Sequence, residues 1–159
     1  MSDSKALIDN YKPTHPDFDF RKYPFYWIAL IDNIYAQRME KTLKPLGLTI
    51  IGWRVGMLLR DHNSLSVSEI SKHSAVKLST VTKTVYSMQE KGLLKVQQSK
   101  QDARVTEVSI TANGLALLEK VLLETADIFD RALNGIGEQE ILEINALLER
   151  LFNNLSDTY

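Results

Sequence analysis

The 159-residue chain contains no cysteine. That removes a disulfide framework, a thiolate metal site, a cysteine nucleophile and a cysteine redox switch from consideration. Long apolar runs are missing as well. Hydrophobic residues make up 44% of the chain, yet no stretch approaches the ~18 consecutive apolar residues of a membrane helix. The opening "MSDSKALIDNYKPTHPDFDF" is polar and acidic, unlike a signal peptide, so a cytoplasmic protein is expected. No internal repeat and no low-complexity tract is visible.

Catalytic signatures are equally scarce. His15, His62 and His73 show no metal-ligand spacing, and there is no G-x-S-x-G. The "GIG" at 135–137 lacks the third glycine and the preceding strand of a nucleotide loop. The paired acids Glu138 and Glu140 fall at a helix start, where the helix dipole accounts for them. Neither an enzyme, a metal nor a cofactor is expected. The net charge of −1 also excludes a uniformly basic protein, but its distribution is uneven. Residues 66–111 hold seven bases (Lys72, Lys77, Lys83, Lys91, Lys95, Lys100, Arg104) against four acids, whereas residues 112–159 hold three bases against nine acids. A basic segment inside an acidic chain points to an anionic partner for that segment.

What is present is helical punctuation. An aromatic-rich helix is expected from about Phe20 to Lys44, ended by Pro45 and Gly47. Thr49 is placed to cap the next helix, "IIGWRVGMLLRDH". Ser66 and Glu69 have the spacing of a capping box. After the short turn "AVKL", "STVTKTVYSMQEKG" places Val81, Val85 and Met88 on one face, and Gly92 supplies a left-handed stop. "LLKVQQ" and "RVTEVSI" read as strands joined by "SKQDA". Thr111 then caps a long helix with the stripe Leu115, Leu118, Leu122, Ala126 and Phe129. "NGIG" breaks it before a last helix carrying Ile141, Ile144, Leu148, Leu151 and Leu155.

Helix, turn, helix, strand, charged tip, strand is the order of a winged helix-turn-helix. A helix fits the major groove of DNA, and only its outward side chains reach base edges. With Val81, Val85 and Met88 turned inward, Ser79, Thr80, Thr82 and Lys83 face out near the helix N-terminus, whose partial positive charge suits phosphate. Lys77 stands two positions before Ser79. The hairpin tip can reach a minor groove, where a cation is favoured, so Lys100 or Arg104 is the expected contact. Asp102 cannot attract DNA. Its expected work is to shape the wing, by holding either Arg104 or a backbone N–H.

The chain resembles the MarR family of winged-helix transcription regulators. The matching stretches are "GLTIIGWRVGMLL", "LSVSEIS", "STVTKTVYSMQEKGLL" and above all "DARVTEVSITANG", in order over about residues 20–155. The resemblance implies a mainly α fold with a small β wing. It places dimerisation helices at 20–48 and 112–155 and a DNA-binding lobe at 49–111, with Ser79–Lys83 in the recognition helix and Asp102 and Arg104 as the wing pair. It implies a homodimer on a pseudo-palindromic duplex operator, most often as a repressor. Two departures thin the wing charge: Val96 and Gln97, and Ala103, stand where the family commonly places arginines. Modest affinity and a shallow salt dependence are therefore expected. The main competing reading is a winged-helix protein-interaction module without specific DNA binding.

The resemblance also implies a small-molecule effector, an aromatic carboxylate or its thioester. "FRKYPFYWI" and "GWRV" supply aromatic rings and two arginines. Tyr26 and Trp53 can wall an apolar slot, and Arg21 or Arg54 can receive a carboxylate as a bidentate pair. Core or dimer packing of the same aromatics is the competing assignment.

Overall fold

The computed structural model describes residues 9–99, 102 and 104–156. The chain divides into two compact units, Met1–Thr125 and Ala126–Tyr159. Among the described residues, no helix is long and apolar enough to cross a membrane.

The expected first helix is split. A 3-10 turn at Phe20–Lys22 precedes α1, Pro24–Leu43. Pro24 has no N–H to donate back into the turn, and it holds Tyr23 in extended backbone (φ −81°, ψ 117°). At the other end Pro45 sits in a second 3-10 turn, Lys44–Leu46, and Gly47 closes it at φ +70°. Thr49 caps α2 (Ile50–Asp61), its Oγ1 accepting the Gly52 N–H at 3.0 Å.

Next comes β1, Leu65–Ser66, a two-residue strand with too short a run to show any period. Ser66 is also the N-cap of α3 (Val67–Ser74), with both arms of the capping box made to Glu69. Ala75, at φ 52°, turns the chain into α4 (Leu78–Glu90). Ser71 Oγ, donating to the Val76 carbonyl at 2.7 Å, braces that turn. Gly92 at φ +70° ends the helix, as expected. β2 (Leu94–Gln98) and β3 (Thr106–Ile110) form the antiparallel hairpin, with Val96 opposite Val108. β1 adds to the far edge of β3, giving the order β1-β3-β2.

The core of this unit takes Met39 and Leu43 from α1, Val55 and Leu59 from α2, Ile70 from α3, Val81 and Val85 from α4, and Val108 from β3. Each such side chain contributes roughly 1.5–3 kcal/mol on full burial. Helix α5 (Ala112–Ala132) supplies Leu118 and Val121. Its buried face differs from the expected stripe. Gly114, Leu118, Val121 and Thr125 are buried, while Leu115 is exposed and Leu122 half-buried. The buried Thr125 hydroxyl donates to the Val121 carbonyl at 2.7 Å. In the second unit, Gly135 (φ +80°) marks the break, and α6 (Glu138–Ser156) buries none of its residues.

Candidate nucleic-acid interface

Helix α4 buries Val81, Val85 and Met88, so its polar positions face outward as the periodicity requires. Ser79 and Lys83 are exposed; Thr80 and Thr82 are half-buried. The Thr82 hydroxyl donates to the Leu78 carbonyl at 2.8 Å, so its proton is spent within the helix and only its lone pairs remain for a base. Lys77 is the N-cap and makes no side-chain cap bond. Two exposed residues on this helix escaped the sequence reading, Leu78 and Tyr86, at 50% and 46% exposure.

The wing tip is shaped from within. Asp102 Oδ1 accepts the Arg104 backbone N–H at 2.9 Å, and the Asp102 carbonyl accepts the Val105 N–H at 2.9 Å. Of the two expected roles for Asp102, the structure has the backbone one. The ion pairs among the described residues do not join Asp102 to Arg104, and Arg104 is exposed. Lys100, the other expected wing cation, lies outside the described residues, as does Ala103.

Thr111 ties the end of the hairpin to the turn that follows α4. Its Oγ1 donates between the Gly92 and Leu93 carbonyls, at 2.7 and 3.0 Å, and accepts the Gly114 N–H at 3.1 Å. Lys91, at the end of α4, donates to the Gly47 carbonyl at 2.6 Å and ties the helix to the α1–α2 connection.

A separate cleft of about 400 Å³ is lined by Trp53, Arg54, Met57, Leu58, Asp61, His73 and Ser74. Five of these share one face of α2, a spacing the sequence carried; His73 and Ser74 come from α3 and needed the tertiary fold. Trp53 is 5% exposed and forms part of the core. Arg54 reaches Asp32 of α1 at 3.2 Å. Arg21 and Tyr26 are not in this lining. The Arg21 guanidinium lies 5.7 Å from the Phe20 ring, and Tyr26 packs edge-on against Phe20 and Trp27. Beside the cleft, the His62 and His73 rings are 6.1 Å apart. His62 Nδ1 lies 2.8 Å from the Leu58 carbonyl, which makes it the protonated nitrogen. The Glu69 carboxyl is held below its ordinary value, first by the Ser66 backbone N–H, then by the Ser66 side chain and, more weakly, by His73 and His62.

A model of the MarR family matches residues 48–106. The HTH-type transcriptional repressor IacR of Pseudomonas putida is 40% identical over 146 residues, 92% of this chain and 87% of its own. A MarR-family regulator from Silicibacter pomeroyi superposes with a TM-score of 0.79 at 23% identity, covering 88% of this chain and 94% of that one. A mutant MarR from E. coli complexed with operator DNA gives 0.69 at 20%, over 79% and 90%. BpsR of Bordetella bronchiseptica, solved in a study of the regulation of its DNA binding by 6-hydroxynicotinic acid, gives 0.72 at 22%, over 88% and 97%. At these identities the solved structures establish the fold.

Proposed function

This chain belongs to the MarR family of winged helix-turn-helix transcriptional regulators, and on that premise we propose that it is a homodimeric repressor released from a pseudo-palindromic operator by a small aromatic acid or its thioester. The observation that carries the DNA-binding half is the outward N-terminal face of α4, with Ser79, Thr80 and Lys83 beside a wing whose Arg104 is exposed. Lys77 and Lys83 seat on phosphate or base edges, Thr82 accepts, and Arg104 serves the minor groove with Asp102 holding the tip. Lys100 is the second wing cation in this reading. The name of the Pseudomonas putida relative, a transcriptional repressor, supports the sign of regulation, and the operator complex of the E. coli protein supports the target.

A dimer accounts for two exposed apolar faces. Helix α1 exposes Trp27, Leu30, Ile31 and Ile34 on one face; α6 exposes Ile144, Leu148 and Phe152. A second copy is the natural cover, and two-fold symmetry then sets half-sites about 34 Å apart.

The α2–α3 cleft is the effector seat in this proposal. Trp53 walls it, and Arg54 takes a carboxylate in exchange for Asp32. The naming of an aromatic acid for BpsR supports that ligand class. Arg21 and Tyr26 belong to the aromatic cluster at the start of α1 and play no part in this seat.

The test is fluorescence anisotropy with duplexes from the promoter region beside the protein's own gene, with and without a panel of aromatic acids. Specific binding that an acid relieves supports both halves. Specific binding that no acid relieves removes the effector half. No preference over random duplex at low salt, with the dimer intact, moves the assignment to a protein-interaction module.

A further inference from the structure

The outward face of α4 carries two different rows of side chains. Residues four apart lie one above another on a helix. One row is polar: Ser79, Lys83 and Ser87. The adjacent row is Leu78, Thr82 and Tyr86, and both of its ends are large apolar groups left about half exposed. Its middle member is no hydroxyl donor, because Thr82 Oγ1 donates back to the Leu78 carbonyl. A leucine in water at the very start of a helix that meets DNA is a cost unless something apolar covers it there.

The major groove offers one such surface. Of the four bases only thymine presents an apolar group to it, the C5-methyl. We propose that the Leu78–Thr82–Tyr86 row reads thymine methyl groups, while the Ser79–Lys83 row beside it takes the phosphates and polar base edges. The proposal rests on the assignment of α4 as the reading helix. From Leu78 to Tyr86 is eight residues, about 12 Å along the helix at ~1.5 Å per residue, which spans at most three to four base pairs at about 3.4 Å each. Leu78, at the N-terminal end, has the deeper reach into the groove. Tyr86 lays its ring against a methyl toward the edge, with its hydroxyl directed to the backbone. The flanking Lys77 and Lys83 give this row the charge that suits a polyanion and not an apolar protein partner. The half-site is therefore expected to hold thymines at two positions no more than about four base pairs apart.

Thymine and deoxyuridine differ only by that methyl, which makes the test direct. A duplex enriched by the wild-type protein from a random-sequence pool serves as the probe. Each thymine is replaced singly by deoxyuridine, and Kd is measured at fixed salt for wild type, Leu78→Ala, Tyr86→Ala and Lys83→Ala. One or two replacements per half-site should weaken wild-type binding by about fourfold each, the worth of one buried methyl group. The same replacement should cost nothing in the variant that has lost its reader. Leu78→Ala should leave the salt slope unchanged, whereas Lys83→Ala should reduce it by about one. Both apolar positions are exposed, so neither variant threatens the fold. If Lys83→Ala weakens binding but no deoxyuridine does, or if the deoxyuridine cost survives in both apolar variants, methyl reading by this row is overturned and α4 remains the reading helix. If no duplex is enriched, or if all three variants bind as wild type, that assignment and the methyl reading fall together.

Discussion

A Cβ at position 114 would lie 2.3 Å from the Leu93 carbonyl oxygen and 2.7 Å from Ile110 Cγ1. Backbone cannot yield as a side-chain tip can, so the start of α5 sits on the hairpin only because residue 114 is glycine. Gly114→Ala should lower stability by roughly 1–3 kcal/mol through overpacking, although alanine is the better helix former by about 1 kcal/mol. Gly56→Ala is the control: its Cβ would meet only the Leu118 side chain, at 2.8 Å, and should cost less. Denaturant midpoints measure both. Glu69 offers a second test at this scale. Its folded-state value lies below the unfolded one, so as the pH falls the unfolded chain binds the proton first. The contribution is complete above the ordinary carboxylate range and is lost as the pH drops through the depressed value. Glu69→Gln keeps an acceptor for the Ser66 N–H but cannot titrate. It should flatten the acid limb of the stability curve, followed by denaturant midpoints across the acid range.

Elements whose ends are set by local chemistry were legible in the sequence. Thr49, Ser66 with Glu69, Gly92 and Thr111 each satisfy or terminate their own helix through neighbours in the chain. The buried face of α5 was not. The stripe Leu115, Leu118, Leu122 lies about one position round from the face that is buried, Gly114, Leu118, Val121 and Thr125, and the contact that orients the helix is made by Gly114, which no hydrophobic pattern registers. The division at Pro24 was visible in principle, since proline both begins a helix and restricts the residue before it. Leu78 and Tyr86 carry no charge or hydroxyl pattern that marks a DNA contact in the sequence; only their exposure in the fold singles them out. For the reading elements, Lys83→Ala and Arg104→Ala should each weaken operator binding, with a salt slope smaller by about one and an unchanged circular dichroism spectrum. Asp102→Asn keeps a side-chain acceptor for the Arg104 N–H and should bind nearly as wild type, while Asp102→Ala should behave like Arg104→Ala. Unchanged binding for Lys83→Ala and Arg104→Ala alike would contradict this placement of the reading surface.

At the scale of the whole molecule, the terminal helices pose the question of what covers them. Amphipathicity in the sequence showed that α6 has an apolar stripe; it did not show that the stripe stays uncovered in the folded chain, with Leu148 and Phe152 at 43% and 55% exposure. On the proposed dimer, Leu148→Lys should leave a monomer in sedimentation equilibrium without unfolding the winged-helix unit. Operator affinity should then fall by about a hundredfold or more, because two linked half-site contacts become one. A variant that stays dimeric would place the subunit interface elsewhere.

Ser66 belongs to two elements at once, closing β1 against Glu107 of β3 and opening α3 through its capping box. The first turn of α3 therefore cannot fray without releasing the edge of the sheet, and the sheet edge cannot peel without uncapping the helix. The two should exchange their amide hydrogens with solvent as one cooperative unit, and Ser66→Ala should accelerate exchange in both together. The sheet edge and α3 meet at one residue, its backbone in the strand and its hydroxyl at the helix cap, so a disturbance at the sheet edge reaches the helix that precedes α4.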